Sequence, residues 1–529
     1  MENSDQDDKL RKTQGIVESI KIDESNIITG QIMRDKMIDE YFNITNPKNT
    51  INHPKTSWPL DFLISTDEVI SAMMKIPTNK AITEDCVPDT IFKLCCNYEM
   101  YLQCHTDVKK IVLAEQCFTE NFWAHPSSLI HLRGRIIPLN KAYPDIPKID
   151  QIRFIVAISP VQKLLEASLL PSLQQYAHDN LKEKQRAYIG GCSTHSNIAD
   201  MLAKSNKGKD ILFIDYSKAF DTVDRHILYS IIQAKDILSP VQLKMLQFIH
   251  SNSSVSMAGK SIQTSAGVPQ GSLVSPLLFN IFIHELLDML SSHGLTRAFA
   301  HDVAIAIEKN TKTEFVIEEV SKWSTNNRMS LNKDKSGIIS NILKEGTNVN
   351  GIKVCEKYKY LGVFICKNLS VQPHLKHLRK SLYSKCLRLR KLLSGASIKF
   401  KAIIFKVLID PIITYARPAS LNSQTKTASA HLQAIRRKCI RLIMGLGMNT
   451  KNTTVEALTH AKNTLTEDII ELINLFNRSI CKTCRSRISS SHLSTAHQIC
   501  IQYSDVVKSI SDTNSKNISK MLTTIESFL

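Results

Sequence analysis

Three segments carry residue types that suit phosphate chemistry. In DILFIDYSKAFDTVDRHIL the apolar run Ile211–Ile214 ends at Asp215, and a helix-forming segment follows. A carboxylate at the end of a buried strand is costly unless something pairs with it. A divalent cation is one such partner, and the amides that open the next helix are another. On this segment alone both stay open. In RAFAHDVAIAIE two short apolar arms, 298–300 and 303–307, flank His301 and Asp302. The pattern predicts a tight hairpin that presents both polar side chains at its turn. Between these segments lies SAGVPQGSLVSPLLFNIFIHELL, a Gly- and Ser-rich loop running into a long apolar helix. Such a loop can lay backbone amides against a flat substrate, or can simply lead into a core helix.

These residues need a scaffold, and the chain changes texture to supply one. Roughly 130–365 alternates short apolar runs (GRIIPL, RFIVAI, ILFI, AFAHDVAIAI) with amphipathic helical stretches, a mixed α/β pattern. Before it, the first 55 residues are polar, include the turn-like NITNPKNTINHPK and show no sustained helical stripe. They read as a loosely ordered leader, assigned to 1–64. Helical periodicity starts near Asp67 in STDEVISAMMKI, with Ser65 or Thr66 placed to cap it. After about residue 370 the chain turns helical and basic, with Leu and Ile on one face of HLKHLRKSLYSKCLRLRKLL and HLQAIRRKCIRLIMGL and Lys and Arg on the other.

Composition narrows the class. The chain has 529 residues, 43% of them hydrophobic, enough for more than one packed core. A formal charge of +18, from 67 Lys plus Arg against 49 Asp plus Glu, suits a phosphate-bearing partner or a basic solvated surface. No run of eighteen uncharged apolar residues occurs, and the start MENSDQDDKLRK resembles neither a signal peptide nor a presequence. The expected setting is therefore intracellular, nuclear or cytoplasmic, without a membrane. Thirteen scattered cysteines predict reduced thiols. Cys481, Cys484, His492, His497 and Cys500 have spacings that a zinc knuckle uses, but the preceding LTEDIIELINLFNRSI reads as a helix running on through Cys481. Thiols and histidines on a terminal helix are the preferred reading.

Taken in order, DYSKAFDTVDRHIL, AGVPQGSLVSPLLFNIFI, AFAHDVAIAI, NNRMSLNKDKS and KYLGVFI resemble the successive palm motifs of non-LTR (LINE-type) retrotransposon reverse transcriptases. Upstream, GRIIPLNK, DQIRFIVAISPVQKLLE and QRAYIGGCSTHSNIADML resemble their fingers. The resemblance covers about residues 65–460. It implies an α+β right-hand polymerase: fingers 65–200, palm 201–345, primer-grip hairpin and helical thumb 346–460, and a helical extension 461–529.

The resemblance also implies an RNA-directed DNA polymerase that performs two-metal nucleotidyl transfer with Mg2+, or Mn2+, on an RNA template, a DNA primer and dNTPs. Matched position by position, Asp215 and Asp302 correspond to metal-binding carboxylates. His301 stands where the family has the first Asp of a pair, so the motif here is Ala-His-Asp. Lys335 corresponds to the lysine near the leaving pyrophosphate, and Phe220 to the steric gate against a ribose 2′-hydroxyl. Pro269, Gln270 and Gly271 correspond to the loop on nucleotide and template, Lys141 and Arg153 to fingers residues that grip the triphosphate, and Tyr360, Leu361 and Gly362 to the primer grip. Phe154 follows Arg153 where the family usually has Pro, and ITEDCVPD at 82–89 replaces a Gly-Pro-Asp-Gly turn. The residues before the palm are too few for an apurinic-type endonuclease, and those after the thumb too few for a restriction-like one. His301 keeps a catalytically dead, nucleic-acid-binding relic in view; a group II intron maturase-like protein shares the palm but is less close to AFDTVDRHIL and LNKDKS.

Overall fold

The computed structural model describes residues 17–23, 27–47, 132–142, 145–204, 210–367, 372–415 and 425–459. The helix expected from Asp67, the segment 82–89 and the Cys/His tail at 481–500 lie outside these residues. The described residues form an α+β structure whose strands, in chain order, are β1 (Ser19–Lys21), β2 (Ile27–Thr29), β3 (Arg133–Asn140), β4 (Ile152–Ala157), β5 (Ile211–Ile214), β6 (Ser254–Met257), β7 (Lys260–Gln263), β8 (Gly294–Phe299), β9 (Asp302–Ile307), β10 (Gly337–Ile339), β11 (Asn348–Val349), β12 (Ile352–Val354), β13 (Lys357–Tyr360) and β14 (Val363–Cys366). The chain folds into two compact units, each assembled from several stretches. One takes 1–189, 216–288 and 318–332; the other takes 190–215, 289–317 and 333–529.

In the first unit a four-stranded sheet has the order β4-β3-β6-β7. Even positions of β4 (Ile152, Phe154, Val156) point into a core, while odd ones such as Arg153 face outward, the alternation expected of a half-buried strand. A helix at Gly30–Thr45 covers that core with Met33, Met37, Ile38 and Tyr41, and Tyr41 meets Phe154 edge-on at 5.3 Å. This corrects the expectation of a loosely ordered leader. GQIMRDKMIDEYFNIT carries one narrow stripe spaced four residues apart between charged neighbours, too thin to stand out in the sequence but sufficient once a sheet receives it. Later helices start where local chemistry says they should. Ser159 and Ser239 accept from the amides of Gln162 and Gln242 ahead of Pro160 and Pro240, and Asp224 accepts from His226 and Ile227.

The second unit is built on a six-stranded sheet of order β11-β12-β10-β5-β9-β8. All four residues of β5 are buried, as befits a strand with antiparallel neighbours on both sides. Ile198, Met201 and Leu202 of the helix Thr194–Lys204 pack with Ile211, Phe213, Ala304 and Ala306. After the β13–β14 hairpin the chain is helical, and Gln372–Leu392 and Thr425–Met444 share a core of Leu378, Leu382, Cys386, Leu432, Cys439 and Ile443. Lys376, Arg379, Lys380, Lys385, Arg388 and Arg390 stay exposed on the first of these helices. Arg436, Arg437 and Arg441 do not. Arg436 bonds Asp410 at 2.8 Å, Arg437 bonds Glu456 at 2.7 Å, and Arg441 bonds Asn452 Oδ1 and the Thr450 carbonyl, both at 2.7 Å. No helix among the described residues is long and apolar enough to cross a membrane.

Candidate active site

Register brings the second unit's polar residues together. Strand β5 pairs antiparallel with β9, with Ile214 opposite Val303, so the next step along both strands sets Asp215 against Asp302. On its other side β5 pairs antiparallel with β10, with Phe213 opposite Gly337; the same continuation sets Asp215 against Lys335. Ser336 Oγ accepts from the Asp215 amide at 3.2 Å, which fixes the end of the strand. The β8–β9 connection is a tight hairpin as expected, but its two-residue turn is Ala300–His301 and not His301–Asp302: Phe299 pairs with Asp302, and Ala300 takes a φ of 55°. His301 sits in that turn, while Asp302 is the first residue of β9.

One ligand atom each from Asp215, His301 and Asp302 falls within 4.8 Å of the others, the one such grouping among the described residues. All three are half-buried. Burial raises the Asp302 carboxyl above its ordinary range; His301 opposes that rise, and the Asp215 carboxylate adds to it. Two carboxylates and an imidazole this close fit a divalent cation, because a dication offsets the repulsion that the pair otherwise bears. Two oxygens suit a hard ion, and the nitrogen is better tolerated by a softer one.

Tyr358 roofs this edge of the sheet. Its ring stacks on Phe213 with centroids 4.3 Å apart, and its hydroxyl donates to the Lys335 carbonyl at 2.7 Å. Burial first, and then the Asp215 and Asp302 carboxylates, raise its phenol far above the usual value. A Cβ on Gly337 would come within 2.6 Å of that ring, so the strand must be bare there. Tyr360 ends β13 and points inward. Its side chain is fully buried, accepting from Asn197 Nδ2 at 3.1 Å and donating to the Arg297 carbonyl at 3.3 Å. The turn of the β13–β14 hairpin, half-buried Leu361 and exposed Gly362, takes φ of 44° and 81°, and Lys357 and Lys359 are exposed on β13.

In the first unit, three buried charged side chains hold the 264–273 loop at successive points. Arg225 donates from Nε to the Gly267 carbonyl at 2.8 Å and from Nη1 and Nη2 to Thr264 O and Oγ1 at 2.6 and 2.8 Å. Asp221 accepts from Gln270 Nε2 at 2.9 Å, and Glu166 accepts from the Leu273 amide at 2.7 Å. Burial raises the Asp221 carboxyl to about 7 and also raises that of Glu166. Backbone bonds complete the hold. The Gly267 amide donates to Val223 O, Val268 to Phe220 O, and Val156, on the free edge of β4, to Gln270 O at 2.7 Å. The carbonyl of Thr45 accepts from Ser265 and Ala266, so the helix from the supposed leader also anchors the loop. Gly271 has φ +141° and lies so close to β4 that a Cβ would meet Val156 O at 1.9 Å. Pro269 and Gln270 remain half-buried and Gly271 is exposed.

Phe220 stacks on the buried Phe279 of the helix Ser275–Ser291, with centroids 4.6 Å apart and planes 22° from parallel. Arg153 lies opposite Leu139, and Lys141 follows two residues after Leu139 on the same exposed face of the β3–β4 ribbon. Both cations act electrostatically on Asp221.

Residues 144–365 match the family model described as reverse transcriptase (RNA-dependent DNA polymerase). The RNA-directed DNA polymerase of the mobile element jockey from Drosophila melanogaster is 24% identical over 74% of this chain and 45% of its own length. The jockey polymerase of Drosophila funebris is 25% identical over 46% of this chain and 29% of that protein, and the probable polymerase of the Drosophila melanogaster X-element is 26% identical over 58% and 36%. Residues 144–365 are a reverse transcriptase domain of the non-LTR retrotransposon kind. The chain spans less than half the length of these curated relatives. Telomerase structures from Candida albicans and Candida tropicalis align over 79% and 74% of this chain and 70% and 68% of theirs, at 13% and 11% identity and TM-scores of 0.36 and 0.38.

The site residues read from the sequence thus fall into two groupings. Asp215, His301, Asp302 and, through its backbone, Lys335 come together in one unit. Phe220, Gln270, Gly271, Lys141 and Arg153 belong to the other. Sequence reasoning missed Tyr358, Phe279, Asp221, Arg225 and Glu166. A Tyr two residues before Tyr360, an aromatic in an apolar helix and charges inside amphipathic segments all read as ordinary until their partners are known.

Proposed function

We propose that this chain is the polymerase portion of a non-LTR retrotransposon protein, an RNA-directed DNA polymerase that extends a DNA primer along an RNA template using dNTPs. The observation that carries this is the convergence of Asp215, His301 and Asp302 within 4.8 Å at the end of β5, inside a segment matching the reverse transcriptase model. Fingers at 65–200, palm at 201–345 and primer-grip hairpin with thumb at 346–460 belong to the same reading, as does an intracellular setting, nuclear or cytoplasmic. Mg2+ or Mn2+ held by Asp215, Asp302 and His301 would acidify the primer hydroxyl and neutralise the triphosphate.

The chain's own residues then divide the work. Lys335 offers its ammonium to the leaving pyrophosphate, and Lys141 and Arg153 offer theirs to the triphosphate. Phe220, held by Phe279, presents a rigid ring against a ribose 2′-hydroxyl. Pro269, Gln270 and Gly271 meet nucleotide and template, and Leu361 and Gly362 offer the primer-grip turn that Tyr360 supports from within. His301 supplies a ring nitrogen where the family supplies a carboxylate, so the site holds one negative charge fewer.

The test is primer extension on an RNA template with Mg2+ and separately with Mn2+. Wild type should extend little with Mg2+, His301→Asp should extend faster, and Mn2+ should narrow the gap. Equal Mg2+ rates would remove His301 from the site. The exposed basic helix Gln372–Leu392 together with His301 favours one second reading, a nucleic-acid-binding protein without polymerase activity. Binding of hybrid by a His301→Asp protein that extends no primer with either ion would select it.

A further inference from the structure

We propose that Asp221 is the positioning residue of the nucleotide loop: it fixes the side chain of Gln270 so that the amide meets an incoming dNTP in one orientation. The inference rests on the reading of the 269–271 loop as a nucleotide site and adds to it a residue that no motif assigned.

The backbone of Gln270 is already settled. Its carbonyl accepts from Val156 on the β4 edge, Val268 donates to Phe220 O, and Gly271 is pressed so close to β4 that no side chain fits there. What remains free at a half-buried Gln are its side-chain torsions and the choice of which amide end faces which way. Asp221 settles both. Its carboxylate lies beneath the loop, 8% exposed, and takes the Gln270 Nε2 at 2.9 Å. That oxygen accepts from the amide N–H, so the NH2 end of Gln270 faces Asp221 and Oε1 is left for another partner.

Burying a carboxylate for one amide bond is costly when a neutral residue would pack as well. Lys218, Lys141 and Arg153 lower that cost through space, and two of these are the cations proposed to grip the triphosphate. Asp221 therefore joins three parts of the first unit: the loop, the gate residue next to it in sequence, and the basic face of the β3–β4 ribbon. Arg225 and Glu166 hold the loop through its backbone and the side chains of Thr264 and Ser272 rather than through Gln270, which makes them structural.

The test is equilibrium binding of the next complementary dNTP, with Mg2+, to the full chain on an RNA template annealed to a dideoxy-terminated DNA primer. No chemistry is then required. Asp221→Ser should weaken dNTP binding about tenfold, the effect of losing one charge-assisted hydrogen bond, and leave primer–template affinity unchanged. Asp221→Asn, which keeps an acceptor oxygen, should stay close to wild type. Gln270→Ala should show the same loss as Asp221→Ser, and the double variant should lose no more. Amide exchange across 267–273 should be unchanged in Asp221→Ser, since a merely structural role would loosen that backbone. If the Ser variant does not fold, Asp221→Thr, nearer in volume, takes its place. Additive losses, or equal weakening of primer–template binding, would overturn the proposal. Loss in Gln270→Ala but none in Asp221→Ser would overturn it too while leaving the nucleotide site standing; no loss in Gln270→Ala would instead overturn the loop's assignment.

Discussion

The charge on Asp221 should be visible in stability as well as in binding. Burial pushes its carboxyl from 3.8 up to about 7, with the Gln270 hydrogen bond and then Lys218, Lys141 and Arg153 limiting the rise. The folded state therefore holds this proton more tightly than the unfolded chain does. Stability from this group is fully present below about pH 4 and is lost as pH climbs through 7. A gap of about 3 pH units at about 1.4 kcal/mol each sets the upper limit of the loss near 4 kcal/mol. Asp221→Asn keeps an oxygen for Gln270 Nε2 but cannot ionise. Denaturant unfolding of both proteins from pH 4.5 to 8 isolates the effect, because every other titrating group is common to the two and cancels. The variant should gain on wild type steadily with pH, by up to about 4 kcal/mol at pH 8. A difference that stays flat across this range would mean that Asp221 ionises freely in the fold, reached by water that its burial should exclude.

Three further outcomes follow from named contacts. In a His301→Asp background that polymerises, Phe220→Ala should relax discrimination against ribonucleotides, measured as the ratio of kcat/KM for dNTP and rNTP; an unchanged ratio would show that the ring stacked on Phe279 is not the gate. Affinity for an RNA–DNA hybrid should fall steeply across a salt series, with a log–log slope approaching about −6 if the seven exposed cations of helix Gln372–Leu392 each neutralise a phosphate. Arg436→Ala should instead lower thermal stability through its lost bond to Asp410, and a flat salt dependence would sink the idea. Gly271→Ala should cost about 3 kcal/mol or more, or displace the loop, since its Cβ would lie 1.9 Å from a backbone oxygen in a conformation that only glycine takes readily; an unshifted melting curve would contradict that geometry.

Much of the candidate site is legible in the sequence because its signals are local. A four-residue apolar run ending in Asp215, a two-residue hairpin at Ala300 and His301, and a Gly/Ser loop running into an apolar helix each announce themselves within about twenty residues. The caps at Ser159, Asp224 and Ser239 are equally local. Tyr360 shows where this kind of reading stops: its place in a motif says nothing of the buried hydrogen bonds its hydroxyl makes to Asn197 and the Arg297 carbonyl.

Tertiary structure alone decided which of these distant pieces meet. Asp215 and Asp302 are far apart in the chain and become neighbours because β5 and β9 pair in one register; a slip of one residue would turn every side chain of the strand to the other face. Helix Gly30–Thr45 carries too thin an apolar stripe to declare itself, and it forms because the β3–β4 face buries Met33, Met37 and Tyr41. Burial likewise changes the character of Asp221, Arg225 and Glu166, which look like solvated charges in the sequence. Local pattern determines where strands, turns and reactive residues lie along the chain; long-range pairing and the exclusion of water determine which carboxylates face each other and which charges hold a loop.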